Sequence, residues 1–286
     1  MITPIFYIIL ILSDVLQSAS TKLFNSCNDE PHVYNLLKSL TAFVIITIAS
    51  CVGFTFHNQT IIFAVIHGLV SAFAMYAGYK ALSKGPIALT SVIVSFSVII
   101  PITWGIIARK EDVSVFQYIA IALLVFSLIT MNLDKFKSDN GDKKTNFAWF
   151  TFVILTFVFN GVGAILSKEH QLLYPSLYFK EFTTISLFVC VIVHTLIIVI
   201  TKSNLNFKEI KGKKFGLIGG ICTSLLTLVT LLLSATENAS VLFPLQTSGK
   251  VLGVVLLGYF VFKEKLKPNH YITIVLGLIA VILFKI

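Results

Sequence analysis

PIFYIILILSDVLQSASTKLF, residues 4–24, is apolar almost throughout and carries an acid near its middle, at Asp14. A helix rises about 1.5 Å per residue, which places Asp14 roughly 15 Å from either end of the stretch. That is the depth of a bilayer's centre. Aspartate is too short to snorkel from there, and a carboxylate held at mid-bilayer costs about 2.5–3.5 kcal/mol by insertion scales. Such a residue faces a cavity, a partner or a substrate path. Alternatively, protonated and hydrogen-bonded, it fastens helices together. Gln17, Ser18 and Thr21 follow at helical spacing and Lys22 closes the stretch, so the predicted helix has one polar face.

The rest of the chain has the same character. Of 286 residues, 56% are hydrophobic and only 12% charged, with a mean hydropathy of +0.91. A soluble domain carries about 25% charged residues, so this composition is that of an all-α membrane protein. The net charge of +9 resides mostly in short segments between apolar runs, which reads as contact with anionic lipid headgroups of a bilayer. Nucleic-acid binding needs a contiguous basic face on a soluble module, and the sequence offers none. Cys27, Cys51, Cys190 and Cys222 have no spacing suited to a metal or a redox couple. Three of them sit in apolar runs as small core residues, so neither a metal nor a cofactor is expected. No basic region precedes the first apolar run and Asp14 interrupts it, which predicts a retained helix rather than a cleaved signal.

Runs of about 20 apolar residues mark membrane-spanning helices. Ten segments qualify, near 4–24, 33–54, 60–80, 86–108, 115–133, 147–167, 177–201, 215–236, 240–262 and 268–285. The longest hydrophilic break, DKFKSDNGDKKTN at 134–146, divides the chain into 1–133 and 147–286, five segments each. The halves repeat in register. One offset pairs Lys110-Glu111 with Lys263-Glu264, Gly105 with Gly258, Ser95 with Ser248 and Tyr118 with Tyr271. A second pairs Asp14 with Asn160, Thr21 with Ser167 and Lys22 with Lys168. An odd number of spans per unit makes the second unit enter from the opposite side, an inverted repeat. Ten spans also put both termini on one side. In loops and span ends that side holds four basic residues, against fifteen on the other, which by the positive-inside rule predicts external termini.

Two inverted five-helix repeats resemble the EamA-type members of the drug/metabolite transporter superfamily. The resemblance rests on ALSKGPIALTSVIVSFSVIIPITWGIIARKEDVS and SATENASVLFPLQTSGKVLGVVLLGYFVFKEKLK. In each a small-residue turn leads to a fourth helix, a charged turn with Glu, and a fifth helix. The first helix also resembles that of the small multidrug resistance exporters, where an acid eight residues before a lysine binds protons and cationic drugs in alternation. Asp14 and Lys22 have that spacing, with Asp for the family's Glu, and Asn160 stands where a second acid would be. The resemblance implies alternating access, a small-molecule site lined by the first, third, fourth, sixth, eighth and ninth helices, and cytoplasmic termini, against the lysine count.

Within this frame Lys250, near the centre of the ninth segment, is too deep to reach water. It reads as a counter-ion for Asp14, a clamp for an anionic group or half of a structural ion pair. Gln246 lies one turn before it, and Gly249 and Gly253 leave that side open to close approach. Pro101 is expected to kink the fourth helix. His67, on a small-residue face with Ser71, Ala74 and Gly78, suits either a proton relay or neutral packing. Thr223, Thr227, Thr230 and Ser234 form a polar stripe, and Ser91 and Ser95 invite the same two readings: path lining, or bonds back to carbonyls. Lys38, Lys180, Glu181 and Glu237 lie near helix ends, within snorkelling reach. Lys110-Glu111 reads as interfacial turn chemistry.

No Ser/His/Asp set, phosphate-cradling loop or metal spacing points to an enzyme, and histidines and carboxylates look scattered singly. The sequence therefore predicts a multi-pass cell-membrane transporter of a small metabolite or amphipathic solute, with proton-coupled export as one mode. Asp14, Gln17, His67, Ser95, Asn160, Thr227, Gln246 and Lys250 are its candidate substrate and ion ligands. Monomer and dimer both fit. The alternative is a lipid-headgroup flippase or a membrane scaffold whose buried charges are structural.

Overall fold

The computed structural model describes all residues except 1–2, 28–30, 51–52, 85–89, 91–92, 95, 139–146, 203–209, 262, 264–267 and 284–286. Among the described residues the secondary structure is helical, with no strand. The helices are α1 Thr3–Asn25, α2 Pro31–Ser50, α3 Asn58–Lys84, α4 Ile99–Ala108, α5 Val115–Ser138, α6 Phe147–Leu173, α7 Phe179–Thr201, α8 Lys213–Ser234, α9 Ala239–Phe260 and α10 Pro268–Leu283. A backbone in hydrocarbon must satisfy its own hydrogen bonds, so apolar runs of this length become helices. Seven of the described helices are long and apolar enough to cross a membrane, namely α1 to α3 and α6 to α9. The chain is therefore a multi-pass membrane protein.

Some ends differ from the hydropathy reading. Helix α5 continues through 134–138 of the expected linker, and α6 runs on to Leu173. Hydropathy marks where side chains turn polar, whereas a helix ends only where its carbonyls find other donors. Helix α5 starts on a reciprocal cap: Gln117 N–H donates to Ser114 Oγ (3.2 Å) and Ser114 N–H to Gln117 Oε1 (3.1 Å). A 3-10 turn, Phe96–Val98, immediately precedes α4 and puts Pro101 in the first turn of that helix. The missing proline N–H thus falls where the helix changes its winding. Lys110 and Lys263, each followed by a glutamate in the sequence, both adopt a left-handed backbone, φ 52°.

The helices gather into two compact units, and each draws on both halves of the sequence. The first comprises Met1–Met75 and Leu166–Thr236, the second Tyr76–Ile165 and Glu237–Ile286.

In the first unit α8 packs on α1 and α2, and α7 on α2. Helix α1 turns Ile5, Ile8, Leu12 and Leu16 outward and buries Leu10, Ser13, Asp14, Ser20 and Phe24. An outward apolar stripe backed by an inward polar one is the pattern lipid imposes. The crossings are close because glycines allow it. A Cβ on Gly68 of α3 would lie 2.6 Å from Ser186 O and 2.8 Å from Val189 Cβ of α7. One on Gly220 of α8 would lie 2.8 Å from Lys38 O and 2.4 Å from Thr41 Cβ of α2. Both glycines meet a carbonyl and a side chain three residues further along the facing helix.

In the second unit α10 packs on α5 and α9, and α9 also on α4. Ala81, Trp149 and Val153 form a small core, and the Trp149 indole donates to Thr90 Oγ1 at 2.8 Å.

Both glycine crossings should reject even a methyl group. Gly68→Ala and Gly220→Ala are each expected to cost roughly 1–3 kcal/mol through overpacking against backbone, read as a lower melting temperature in detergent. Gly53→Ala, with nothing within 4 Å of its Cβ position but a φ of +81°, provides a comparison governed by backbone strain alone.

Candidate functional site

The polar face of α1 meets α8 and α2. Asp14 is 4% exposed. One turn on, the Gln17 amide donates from Nε2 to Thr223 Oγ1 at 2.5 Å. Thr223 donates its own hydrogen to Gly219 O (2.7 Å). Its hydroxyl is thus both donor and acceptor, as a buried hydroxyl must be to lose nothing on leaving water. Thr21 Oγ1 donates to Tyr34 Oη (2.9 Å), and Ser20 Oγ shares a hydrogen with the same phenol (2.8 Å).

The hydroxyl stripe on α8 proves largely self-contained. Thr227 donates to Thr223 O (2.9 Å) and Ser234 to Thr230 O (2.7 Å), the back-bonding that Ser and Thr favour in helices. The remaining candidates are dispersed. His67, on α3, is half-buried; its ring centroid lies 5.0 Å from that of Phe182, and its buried Nδ1 has no hydrogen-bond partner among the described residues. Gln246 and Lys250 are half-buried on α9, and Asn160 is exposed on α6. Ser95 and Ser91 lie outside the described residues, as does Glu264. Asp14, Gln17, His67 and Thr227 belong to the first unit, and Asn160, Gln246 and Lys250 to the second.

Several residues near helix ends need correcting. Lys38 and Glu181, expected to snorkel, are only 8% and 6% exposed. Glu181 Oε1 instead accepts from Thr55 N–H (3.0 Å) and Thr55 Oγ1 (3.3 Å), while Lys38 lies 5.5 Å from the Tyr34 ring centroid. Lys168 is buried and donates to Ser234 O (3.0 Å), the last residue of α8, where the helix dipole favours a cation. Glu111 accepts from Ala239 N–H (2.8 Å), Ser240 N–H (3.0 Å) and Ser240 Oγ (2.8 Å). A carboxylate there closes the N-terminus of α9 and opposes its dipole.

The histidines are not scattered singly. Thr60 Oγ1 lies 3.3 Å from His57 Nδ1 and 3.0 Å from His170 Nε2, joining the turn before α3 to the end of α6. His57 stacks on Tyr178 (centroids 4.9 Å apart, planes 9° apart) with Tyr174 at its edge. Tyr174 in turn donates to Gln59 Oε1. His57 and His170 are 113 residues apart by their numbering (170 − 57), so spacing could not reveal the pair. The available signal was that each lies at a helix end on the same expected face.

No family model and no curated protein matches this sequence. One solved structure, described only as "Crystal structure of protein", superposes on 98% of this chain and 95% of its own with a TM-score of 0.78 at 10% identity. At that identity the likeness is one of fold alone.

Removing the acceptor for Gln17 should leave a buried amide hydrogen unpaired. Thr223→Val is expected to lower stability by about 1–3 kcal/mol, whereas Thr223→Ser recovers most of it. Glu111→Ala, which strips three donors of their acceptor, should cost about 1–2 kcal/mol, of the order of other helix caps. Glu111→Gln retains one acceptor oxygen and should fall between. Thermal melts of the purified protein check both series.

Proposed function

We propose that this chain is a secondary transporter of the cell membrane, moving a small metabolite or amphipathic solute by alternating access. In this reading its ten apolar segments are two inverted five-helix repeats of the EamA kind. The observation that carries it is Asp14, buried at 4% exposure in the middle of a membrane-crossing helix, on the face opposite the lipid stripe. An acid there is expensive, and the usual return is an ion or substrate path. The matched left-handed turns at Lys110 and Lys263 and the matched glycine crossings at Gly68 and Gly220 favour internal repetition. Asp14 is the proton or cation site. Gln246 and Lys250 form a second polar position on α9 and act on the solute's own polar groups.

A second reading is favoured by one set of contacts. Gln17, Thr223, Thr227 and Ser234 are already hydrogen-bonded within the protein, as they would be in a flippase or scaffold whose polar residues only fasten helices. The two readings separate on whether a soluble ligand stabilises the chain. A melting screen over amines, amino acids, sugars and phosphates should give a hit for a transporter, about 2.7 kcal/mol at a hundredfold excess over Kd. A scaffold should give none.

For the hit solute, proteoliposomes carrying a pH gradient and an internal pH dye should show solute-evoked collapse of the gradient. Asp14→Asn is expected to abolish that collapse while the melting temperature stays within a few degrees of the parent. Undiminished collapse in Asp14→Asn would refute the role of the acid.

A further inference from the structure

We propose that the hydrogen-bond chain Gln171–His170–Thr60–His57 is a proton-operated latch, closed when the His170 imidazole is neutral and released when it takes up a proton. It joins the turn before α3 to the end of α6 within the first unit. It stands independently of the transport reading, because its parts and its tests concern structure alone.

The direction of every hydrogen in the chain follows from backbone contacts. Gln171 Oε1 accepts from Ser176 N–H at 3.1 Å, and Nε2 donates to Leu177 O at 3.2 Å. Both partners are main-chain groups of fixed polarity, so the amide cannot be turned over without setting oxygen against oxygen and N–H against N–H. The second Nε2 hydrogen therefore points at His170 Nδ1, 3.0 Å away. That nitrogen is an acceptor, which puts the ring's single hydrogen on Nε2. His170 Nε2–H donates to Thr60 Oγ1 at 3.0 Å. Thr60 then has its own hydrogen to give to His57 Nδ1 at 3.3 Å. Thr60 N–H, at 3.4 Å, points at the same nitrogen, so His57 also carries its hydrogen on Nε2. Neither ring has a lone pair left over, which argues against a metal between them.

Gln171, His170 and Thr60 have no exposed surface. A bond lost among these three is therefore not made up by water. The next proton on His170 can go only to Nδ1, the atom already accepting. On His170 it would meet the Gln171 N–H and unseat the Ser176 and Leu177 contacts.

The neighbouring ionisable groups come from each packed element. Tyr174 and Tyr178 lie on the turn between α6 and α7, the His67 ring is across Phe182 on α3, and Glu181 of α7 holds Thr55. Lys168 and Glu169 flank His170 on α6. Glu181, in the first turn of α7, also holds the turn before α3, through its contact with Thr55.

The test uses the full chain in nanodiscs. With 15N-labelled histidine at pH 8, His170 should show its hydrogen on Nε2 alone; a hydrogen on Nδ1 overturns the proposal without any variant. Amide exchange in 57–61 and 174–178, corrected for the intrinsic rate, should rise about tenfold between pH 8 and pH 3.5. Equal protection at both values overturns it. Gln171→Glu supplies an acceptor where the parent has a donor, so a protonated His170 becomes its partner. This variant should be less protected than the parent at pH 8 and gain protection on acidification. A response with the parent's sign would also overturn the latch, and if the variant fails to fold the nitrogen spectrum and the parent's exchange still decide.

Discussion

A polar atom enclosed among hydrocarbon side chains must find its partner in the protein, because the surrounding lipid offers none. The first unit obeys this with side chains that reach from one helix to the next. Gln17 of α1 closes on Thr223 of α8, Lys168 of α6 on the final carbonyl of α8, and Glu181 of α7 on the backbone at Thr55. In the second unit Glu111 closes the start of α9 and the Trp149 indole reaches Thr90. Each bond ties two elements at one register, and slipping either would expose an unpaired group costing more than the bond itself contributes. Polar contacts therefore act as register pins in a protein whose apolar surface is nearly featureless.

Between the pins, close approach does the packing. Apolar burial drives association weakly in lipid, so van der Waals contact must supply the difference, and it needs short distances between backbones. Gly68 against Ser186 and Gly220 against Lys38 provide them in matched form. The left-handed turns at Lys110 and Lys263 match in the same way. Lysine pays a steric penalty in that conformation which glycine would avoid. In both places the lysine directly precedes a glutamate, and in the described copy that glutamate, Glu111, caps α9. The charged turn is thus better understood as a clasp on a helix start than as surface chemistry.

Seen this way, the polar inventory divides. Thr223, Thr227, Ser234, Glu111 and Lys168 have visible structural employment. Asp14 is a carboxyl group buried near the middle of α1 on its inward face, which is why the proposed function is centred on it. His57 and His170 form a third category. They are joined through Thr60, and His170 accepts at Nδ1 and donates at Nε2, so its bonds hold only while the ring is neutral.

Much of the architecture could be read from the chain directly. Length and apolarity alone identify the membrane-crossing helices, since a backbone in lipid has few alternatives to helix, and the acid inside α1 stands out because each residue's cost there is local. The proposed repeat rests on turn residues such as Lys110-Glu111 and Lys263-Glu264, which are short, charged motifs. What the chain left open were questions of partnership. Hydroxyls at helical spacing look the same whether they line a path or bond to their own carbonyls. Lys38 and Glu181 look able to reach water until neighbouring helices cover them. His57 and His170 have no relation until two turns meet. Hydropathy is a property of one residue and its immediate neighbours, and so is encoded in order along the chain. A hydrogen bond between distant turns depends on which helices pack together, and only the tertiary structure decides that.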